Sequence, residues 1–79
     1  MKLRDRVGLN IQEVRRSLGL SQEALAFKAH VNRGYMGKIE NAKYSASLDI
    51  LERIAEAMDV DPAVLTAPRN RENKNQKKP

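Results

Sequence analysis

The residues best suited to chemistry lie in one short stretch, from Asn32 to Asn41. At helical period this stretch places amide, guanidinium and ammonium groups on one face, whereas Met36 and Ile39 fall on the opposite face. The polar face carries Asn32, Arg33, Gly34, Gly37, Lys38 and Asn41. Such side chains form hydrogen bonds with phosphates and base edges. The pattern therefore predicts a surface that contacts nucleic acid.

Alternative interpretations stay open for several of these residues. Arg33, in the first turn, is the best candidate for a base contact because a guanidinium matches guanine O6 and N7 as a fork; the alternative is a solvated arginine. Lys38, on the same face, reaches either guanine or only phosphate. Asn32 could contact adenine, although a capping role suffices to explain it. Gly34 and Gly37 each cost about 1 kcal/mol of helix propensity, which a close approach of the backbone to a ligand would explain.

A pair of short helices joined by a tight turn must position this face. Ser21 is a good N-cap for the first helix, and Asn32 for the second. Val31 and Met36 have the spacing of a hydrophobic staple across the second helix start. In the first helix of this pair, the side chains predicted to face the core are Leu25, Ala26 and Ala29. Two helices with so short a connection form the unit that places a recognition helix in the DNA major groove.

The flanking sequence predicts three more helices and no strand. A helix over roughly residues 4–18 has one apolar face, ended by Gly19; this face consists of Val7, Ile11, Val14 and Leu18. A later helix, capped by Ser47, has an apolar stripe formed by Leu48, Leu51, Ile54, Ala55 and Met58. Asp61 and Pro62 then begin a short last helix. The predicted fold class is all-α, with five helices in one domain.

Charge divides the chain into two parts. Residues 1–67 hold ten Lys/Arg and nine Asp/Glu, whereas residues 68–79 hold five Lys/Arg and one Glu. We therefore predict a domain over 1–67 and a disordered basic tail over 68–79, since the tail has no apolar residue except proline. The tail is either a tether that attracts phosphates or a solubilising end.

Several classes of function are disfavoured. The chain has no cysteine and one histidine, His30, so we expect no metal site and no cofactor, and a reducing, cytoplasmic location. No apolar run approaches the ~20 residues of a membrane span. No catalytic constellation is recognisable, so an enzyme or a small-molecule ligand is not expected. Three aromatic residues, with Phe27 expected in the core, make a poor platform for RNA bases.

The stretch from Val7 to Leu65 resembles the Cro/CI-type (XRE) helix-turn-helix family. The resemblance is carried by IQEVRRSLGLSQEALAFKA (11–29), GYMGKIEN (34–41) and SLDILERIAEAMDV (47–60). The stretch resembles stand-alone members, such as phage repressors and the controller proteins of restriction–modification systems. The resemblance implies a five-helix, lambda-repressor-like DNA-binding domain. One departure is His30, at a turn position where the family usually has glycine.

The resemblance also implies roles for individual residues. Base contacts fall on Asn32, Arg33, Gly34 and Lys38. Phosphate contacts fall on Gln22, Asn41 and Lys43. Apart from the resemblance, Tyr35 and Tyr44 flank the recognition helix, and their phenols either bond phosphate or only pad the surface. Gln22 would also brace the recognition helix. Arg15 and Glu40 match an internal ion pair between helix 1 and the end of helix 3.

The expected partner is a double-stranded DNA operator, bound by a homodimer that regulates transcription. One recognition helix reaches few base pairs, so a symmetric dimer on a palindrome, with half-sites about 10 bp apart, would double the contacts. The predicted dimer surface is helix 5 with parts of helix 4, including Val64 and Leu65. Glu23 is a candidate contact for RNA polymerase. The alternative function is the DNA-binding antitoxin of a toxin–antitoxin pair, although residues 68–79 lack the apolar anchors that toxin-binding tails usually carry.

Overall fold

Five helices make up the fold in the computed structural model, which describes residues 1–69. They are α1 (Leu3–Ser17), α2 (Gln22–Ala29), α3 (Arg33–Glu40), α4 (Leu48–Ala57) and α5 (Pro62–Thr66). Residues 1–69 contain no strand, so the all-α prediction is confirmed over this range. Within the same range, no helix is both long and apolar enough to cross a membrane. The predicted tail from residue 70 onward lies outside the described residues.

The predicted caps define where four helices begin. Ser21 Oγ accepts the backbone N–H of Ala24 at 2.9 Å. Ser47 Oγ accepts that of Ile50 at 3.1 Å. Asn32 and Asp61 cap α3 and α5 in the same manner. Each cap satisfies a backbone donor that the first turn leaves without a partner, which typically contributes about 1 kcal/mol.

One aliphatic core joins all five helices. The largest side chains with almost no exposure are Ile11, Leu25, Met36, Ile39, Ile54 and Leu65. Val31 and Met36, the predicted staple, are both buried in this core, which confirms that the turn and α3 share it. The core therefore fixes the inward face of α3 and leaves its polar face outside.

Three residues predicted to lie inward are exposed instead. Phe27 is 83% exposed because it lies about 200° around α2 from Leu25, which occupies the core face. Leu48 is 82% exposed. It stands in the first turn of α4, where it borders an open groove of about 360 Å³ between the start of α1 and the loop before α4. Leu18 is 51% exposed because α1 ends at Ser17.

Helix α5 is held against α1 by a buried asparagine that the sequence did not single out. Asn10 Nδ2 donates to the carbonyls of Leu65 and Ala67, both at 3.0 Å. Its Oδ1 accepts a hydrogen bond from Arg69 Nη1 at 2.7 Å. Arg69 thus contacts α1 although it lies two residues beyond the predicted domain boundary.

The burial of Leu65 corrects the predicted dimer surface. Its side chain has 0% exposure, since α5 turns it toward the core of its own chain. Val64, in contrast, is 42% exposed. Of the predicted pair, only Val64 can offer its side chain to a second copy.

Gly8 allows α1 to approach the end of α3 closely. A Cβ atom at this position would lie 2.6 Å from the carbonyl oxygen of Glu40 and 2.8 Å from that of Ile39. Both atoms belong to the backbone, so neither can move aside as a flexible side chain would. This contact explains why a glycine stands inside α1 despite its low helix propensity.

We predict that Gly8→Ala destabilises the domain by about 1–3 kcal/mol, because overpacking outweighs the ~1 kcal/mol gain in helix propensity. Urea unfolding followed by circular dichroism measures the change. Arg16→Ala, at an exposed position of the same helix, provides the baseline for an alanine substitution in α1. A Gly8→Ala domain as stable as the parent would show that α1 and the end of α3 can move apart without lowering the free energy of unfolding.

Candidate nucleic-acid interface

The polar face of α3 lies open to solvent. Arg33, Gly34 and Lys38 are exposed, as are Asn41 and Lys43 just beyond the helix. The only carboxylate between residues 32 and 44 is Glu40, which is buried with 3% exposure. The exposed face of this segment therefore carries three cations and no acid, a distribution suited to a polyanion.

Asn32 and Gly37 both have roles within the protein. Asn32 Oδ1 accepts the backbone N–H of Tyr35 at 3.1 Å, which confirms the predicted cap and leaves the side-chain N–H groups for another partner. A Cβ at Gly37 would lie 3.1 Å from Gln22 Oε1. The close approach expected at Gly37 is therefore made by Gln22 of α2, without any ligand.

A buried ion pair fixes the carboxyl end of α3. Arg15 Nε and Nη2 donate to the two carboxylate oxygens of Glu40 at 2.7 and 3.0 Å. Gln22 Nε2 donates to Glu40 Oε1 at 3.0 Å. The predicted Arg15–Glu40 pair is confirmed, as is the bracing of the recognition helix by Gln22. The pair orients α3 relative to α1 and α2, and a buried pair of this kind specifies geometry more reliably than it adds stability.

Sequence reasoning missed a further contact to the same residue. Gln12 Nε2 donates to the backbone carbonyl of Glu40 at 2.8 Å. Gly8, Gln12 and Arg15 follow one another at intervals of four and three residues, so they form one stripe along α1. That spacing was visible in the sequence and could have identified the α1 surface that receives α3.

The turn between α2 and α3 is supported from α4. His30 adopts the left-handed conformation, with φ 58° and ψ 44°, as the family turn requires. Arg53 Nη2 donates to the carbonyl of His30 at 2.7 Å. Because this carbonyl lies at the helix end, it has no partner within α2. Arg53 was not anticipated, since its position gives no sign of a contact 23 residues away.

We predict that His30→Gly stabilises the domain by about 0.5–1 kcal/mol. Glycine adopts positive φ without a steric penalty, and this gain exceeds the larger backbone entropy that glycine loses on folding. Urea unfolding is the measurement. His30→Ala is the matched control, because it removes the imidazole and keeps the Cβ; its stability should not exceed that of the parent. A destabilised glycine variant would indicate that the imidazole itself holds the turn.

Two tyrosines border the carboxyl half of α3. The rings of Tyr35 and Tyr44 have centroids 6.0 Å apart and are tilted by 51°. Lys38 Nζ lies 5.2 Å from the centroid of the Tyr44 ring. Tyr35 is partly buried, whereas Tyr44 is 49% exposed. The two rings and the ammonium group form one cluster next to the loop that follows α3.

The geometry defines a helix-turn-helix domain of the kind that contacts DNA. Two short helices meet at a three-residue turn, the second presents an exposed cationic face, and α1 packs against this second helix.

The helix-turn-helix family model matches residues 11–65, and the chain belongs to this family of DNA-binding transcriptional regulators, of the Cro/CI (XRE) type. The family assignment and the five-helix fold predicted from the sequence are thereby confirmed.

Two curated relatives are a repressor and a control protein. The immunity repressor protein of Bacillus phage phi105 is 36% identical over 59 residues, which cover 75% of this chain and 41% of the repressor. The chain thus spans less than half of that protein. Control protein C.BamHI of Bacillus amyloliquefaciens is 38% identical over 56 residues, covering 70% of this chain and 69% of the control protein.

Solved structures show the same fold. The restriction-modification controller protein C.AhdI from Aeromonas hydrophila is 35% identical with a TM-score of 0.77, covering 78% of this chain and 94% of C.AhdI. The hypothetical transcription factor NHTF from Neisseria is 28% identical with a TM-score of 0.85, covering 94% of this chain and 85% of that protein.

Proposed function

We propose that this protein is a sequence-specific, double-stranded DNA-binding regulator of the controller type, which acts as a homodimer on a palindromic operator. The observation that carries the proposal is the exposed, acid-free polar face of α3, held in place by the buried Arg15–Glu40 pair. A rigid helix whose outer face holds a guanidinium in its first turn suits the major groove.

The contacts divide into those that read bases and those that position the protein. We assign base contacts to Arg33, Asn32 and Lys38, and a close backbone approach to Gly34, whose nearest neighbour outside its own helix is the Asn32 cap. We assign phosphate contacts to Gln22, Tyr35, Asn41, Lys43 and Tyr44. The Tyr35 hydroxyl donates to the Ser45 carbonyl at 3.4 Å in the free domain and would exchange that acceptor for a phosphate. Gln22 opens α2, where backbone N–H groups without intrahelical partners also favour a phosphate.

Dimerisation follows from the small size of one interface. A single α3 reaches only a few base pairs, and a two-fold dimer places a second copy about one helical turn of DNA away. We place the dimer contact at the exposed side of α5 and the adjacent part of α4, with Val64 in its centre. Its 42% exposure leaves apolar surface that a second copy can cover.

The test of this function is selection of bound duplexes from a random DNA library with purified protein at moderate salt. An enriched palindrome with half-sites about 10 bp apart supports both DNA reading and the dimer. Analytical ultracentrifugation of the complex then gives its stoichiometry, for which we expect two chains per duplex. Recovery of no motif at all would contradict the proposal.

The relatives favour a repressor or controller over the antitoxin alternative, since two of them are a phage immunity repressor and a control protein. Regulation would then follow from occupancy of the operator. Contact with RNA polymerase through Glu23 belongs to the same proposal. Glu23 is exposed on α2, as such a contact requires.

A further inference from the structure

Lys38 occupies a defined position although its side chain is exposed. Its ammonium lies 5.2 Å from the centroid of the Tyr44 ring, within the range in which a cation is attracted by the face of an aromatic ring. A lysine without such a contact samples many rotamers and loses that freedom when it binds. The Tyr44 ring therefore restricts Lys38 before any DNA is present.

The Tyr44 ring is itself held in place. It faces the Tyr35 ring at a centroid distance of 6.0 Å, and its backbone N–H donates to the carbonyl of Lys38 at 3.3 Å. Lys43 N–H donates to the same carbonyl at 2.8 Å, so the start of the loop folds back onto the last turn of α3. The ring and the lysine are thus linked through both side chain and backbone.

From this arrangement we propose that Tyr44 is a positioning residue, whose ring holds the Lys38 ammonium at the loop end of the recognition helix, where it contacts DNA. The proposal rests on the DNA-binding function proposed above and refines it. The ring face acts through Lys38, whereas the phenol hydroxyl, at the rim of the ring, stays available for a phosphate. The recognition helix then presents two separate cations, Arg33 in its first turn and Lys38 toward its end.

Two substitutions separate these roles of Tyr44. Tyr44→Phe keeps the ring and removes the hydroxyl, so it should keep the effect of Lys38 and lose only a contact that is independent of DNA sequence. Tyr44→Leu removes the ring and leaves a smaller, apolar side chain. Relative to Tyr44→Phe, we expect Tyr44→Leu to raise the Kd for the selected duplex about two- to five-fold, the size of an exposed cation–π contact.

The decisive measurement is a double-mutant cycle between Tyr44→Leu and Lys38→Ala. If the ring acts through the lysine, Tyr44→Leu and Tyr44→Phe have the same Kd once Lys38 is alanine, since both lack the hydroxyl. A Tyr44→Leu protein that binds more weakly than Tyr44→Phe by the same factor with and without Lys38 would overturn the proposal. A tighter complex with Tyr44→Leu would also overturn it, since the ring would then withhold the lysine from DNA.

Proton NMR of the free protein tests the arrangement without DNA. Ring current should shift the ε-methylene protons of Lys38 upfield in the parent and in Tyr44→Phe, and Tyr44→Leu should abolish the shift. Parent-like ε-methylene shifts in Tyr44→Leu would contradict the proposal even if no operator were found. Failure of the parent to bind any duplex would contradict the proposed function instead, so the two failures are distinguishable.

Discussion

Arg33→Ala should abolish most of the preference for the operator and lower affinity for the selected palindrome about 10- to 100-fold for each half-site. The reason is that a guanidinium bonded to guanine O6 and N7 favours the correct base over a wrong one by roughly 1–3 kcal/mol. Arg33 is exposed in the first turn of α3, so truncating it leaves the core and the caps unchanged. Affinity for unrelated duplexes should fall far less. Fluorescence anisotropy with both kinds of duplex, at several salt concentrations, measures the ratio.

Three further variants test whether the loss comes from base reading by Arg33 and not from the loss of a positive charge. Arg33→Lys keeps the charge and loses the planar fork, so it should lose selectivity while keeping the salt dependence. Lys43→Ala should weaken all duplexes about equally and reduce the salt slope by about 1, as loss of a phosphate contact does. Arg16→Ala removes a positive charge from an exposed position on α1 and should leave selectivity intact. An Arg33→Ala protein with undiminished operator preference would assign base reading to another residue.

Glu40→Ala should cost about 3–5 kcal/mol of folding free energy, since it leaves the Arg15 guanidinium largely buried without its counter-charge. The side chains of Arg15 and Glu40 are 11% and 2% exposed. For a domain whose total stability is of the order of 5–15 kcal/mol, this loss should strongly lower the urea concentration at the midpoint of unfolding. DNA affinity should also fall although Glu40 touches no base, because α3 loses the contact that orients it.

Companion variants keep this prediction testable if Glu40→Ala unfolds. Glu40→Gln retains an oxygen that accepts a hydrogen bond from Arg15, so it should be less destabilised than Glu40→Ala. Replacing the pair together, by Arg15→Met with Glu40→Leu, removes both charges and should restore folding. If the pair specifies orientation, that folded double variant still binds DNA more weakly. Glu56→Ala removes an exposed acid from α4 and should change neither property. Parent-like stability and affinity in Glu40→Ala would refute the role given to the pair.

Local signals predicted the helices and their starts well. Ser21, Asn32, Ser47 and Asp61 are capping residue types at the beginning of apolar periodic segments, and all four act as caps. Capping depends on atoms two or three residues apart, so the sequence contains both partners side by side. The same holds for His30, whose left-handed conformation follows from its place at a helix end.

Predictions failed where docking between distant segments decides the outcome. Phe27 and Leu48 are apolar, yet each stands on a part of its helix that no neighbour covers. Leu65, predicted to lie at the dimer surface, is instead enclosed by α1 and α4 of its own chain. Gly8 faces backbone atoms more than thirty residues away. Apolar periodicity alone does not show which surface will be covered, since that depends on the relative placement of whole helices.

The hydrogen bonds around Glu40 have a consequence for local unfolding. Donors from α1 and α2 hold both its carboxylate and its carbonyl, so α3 cannot fray at this end without stranding a buried charge. Opening of α3 at this end therefore also breaks its contacts with α1 and α2, which couples the recognition helix to the rest of the domain. We therefore expect α3 to meet DNA as the helix already present in the free domain, so binding need not first order it.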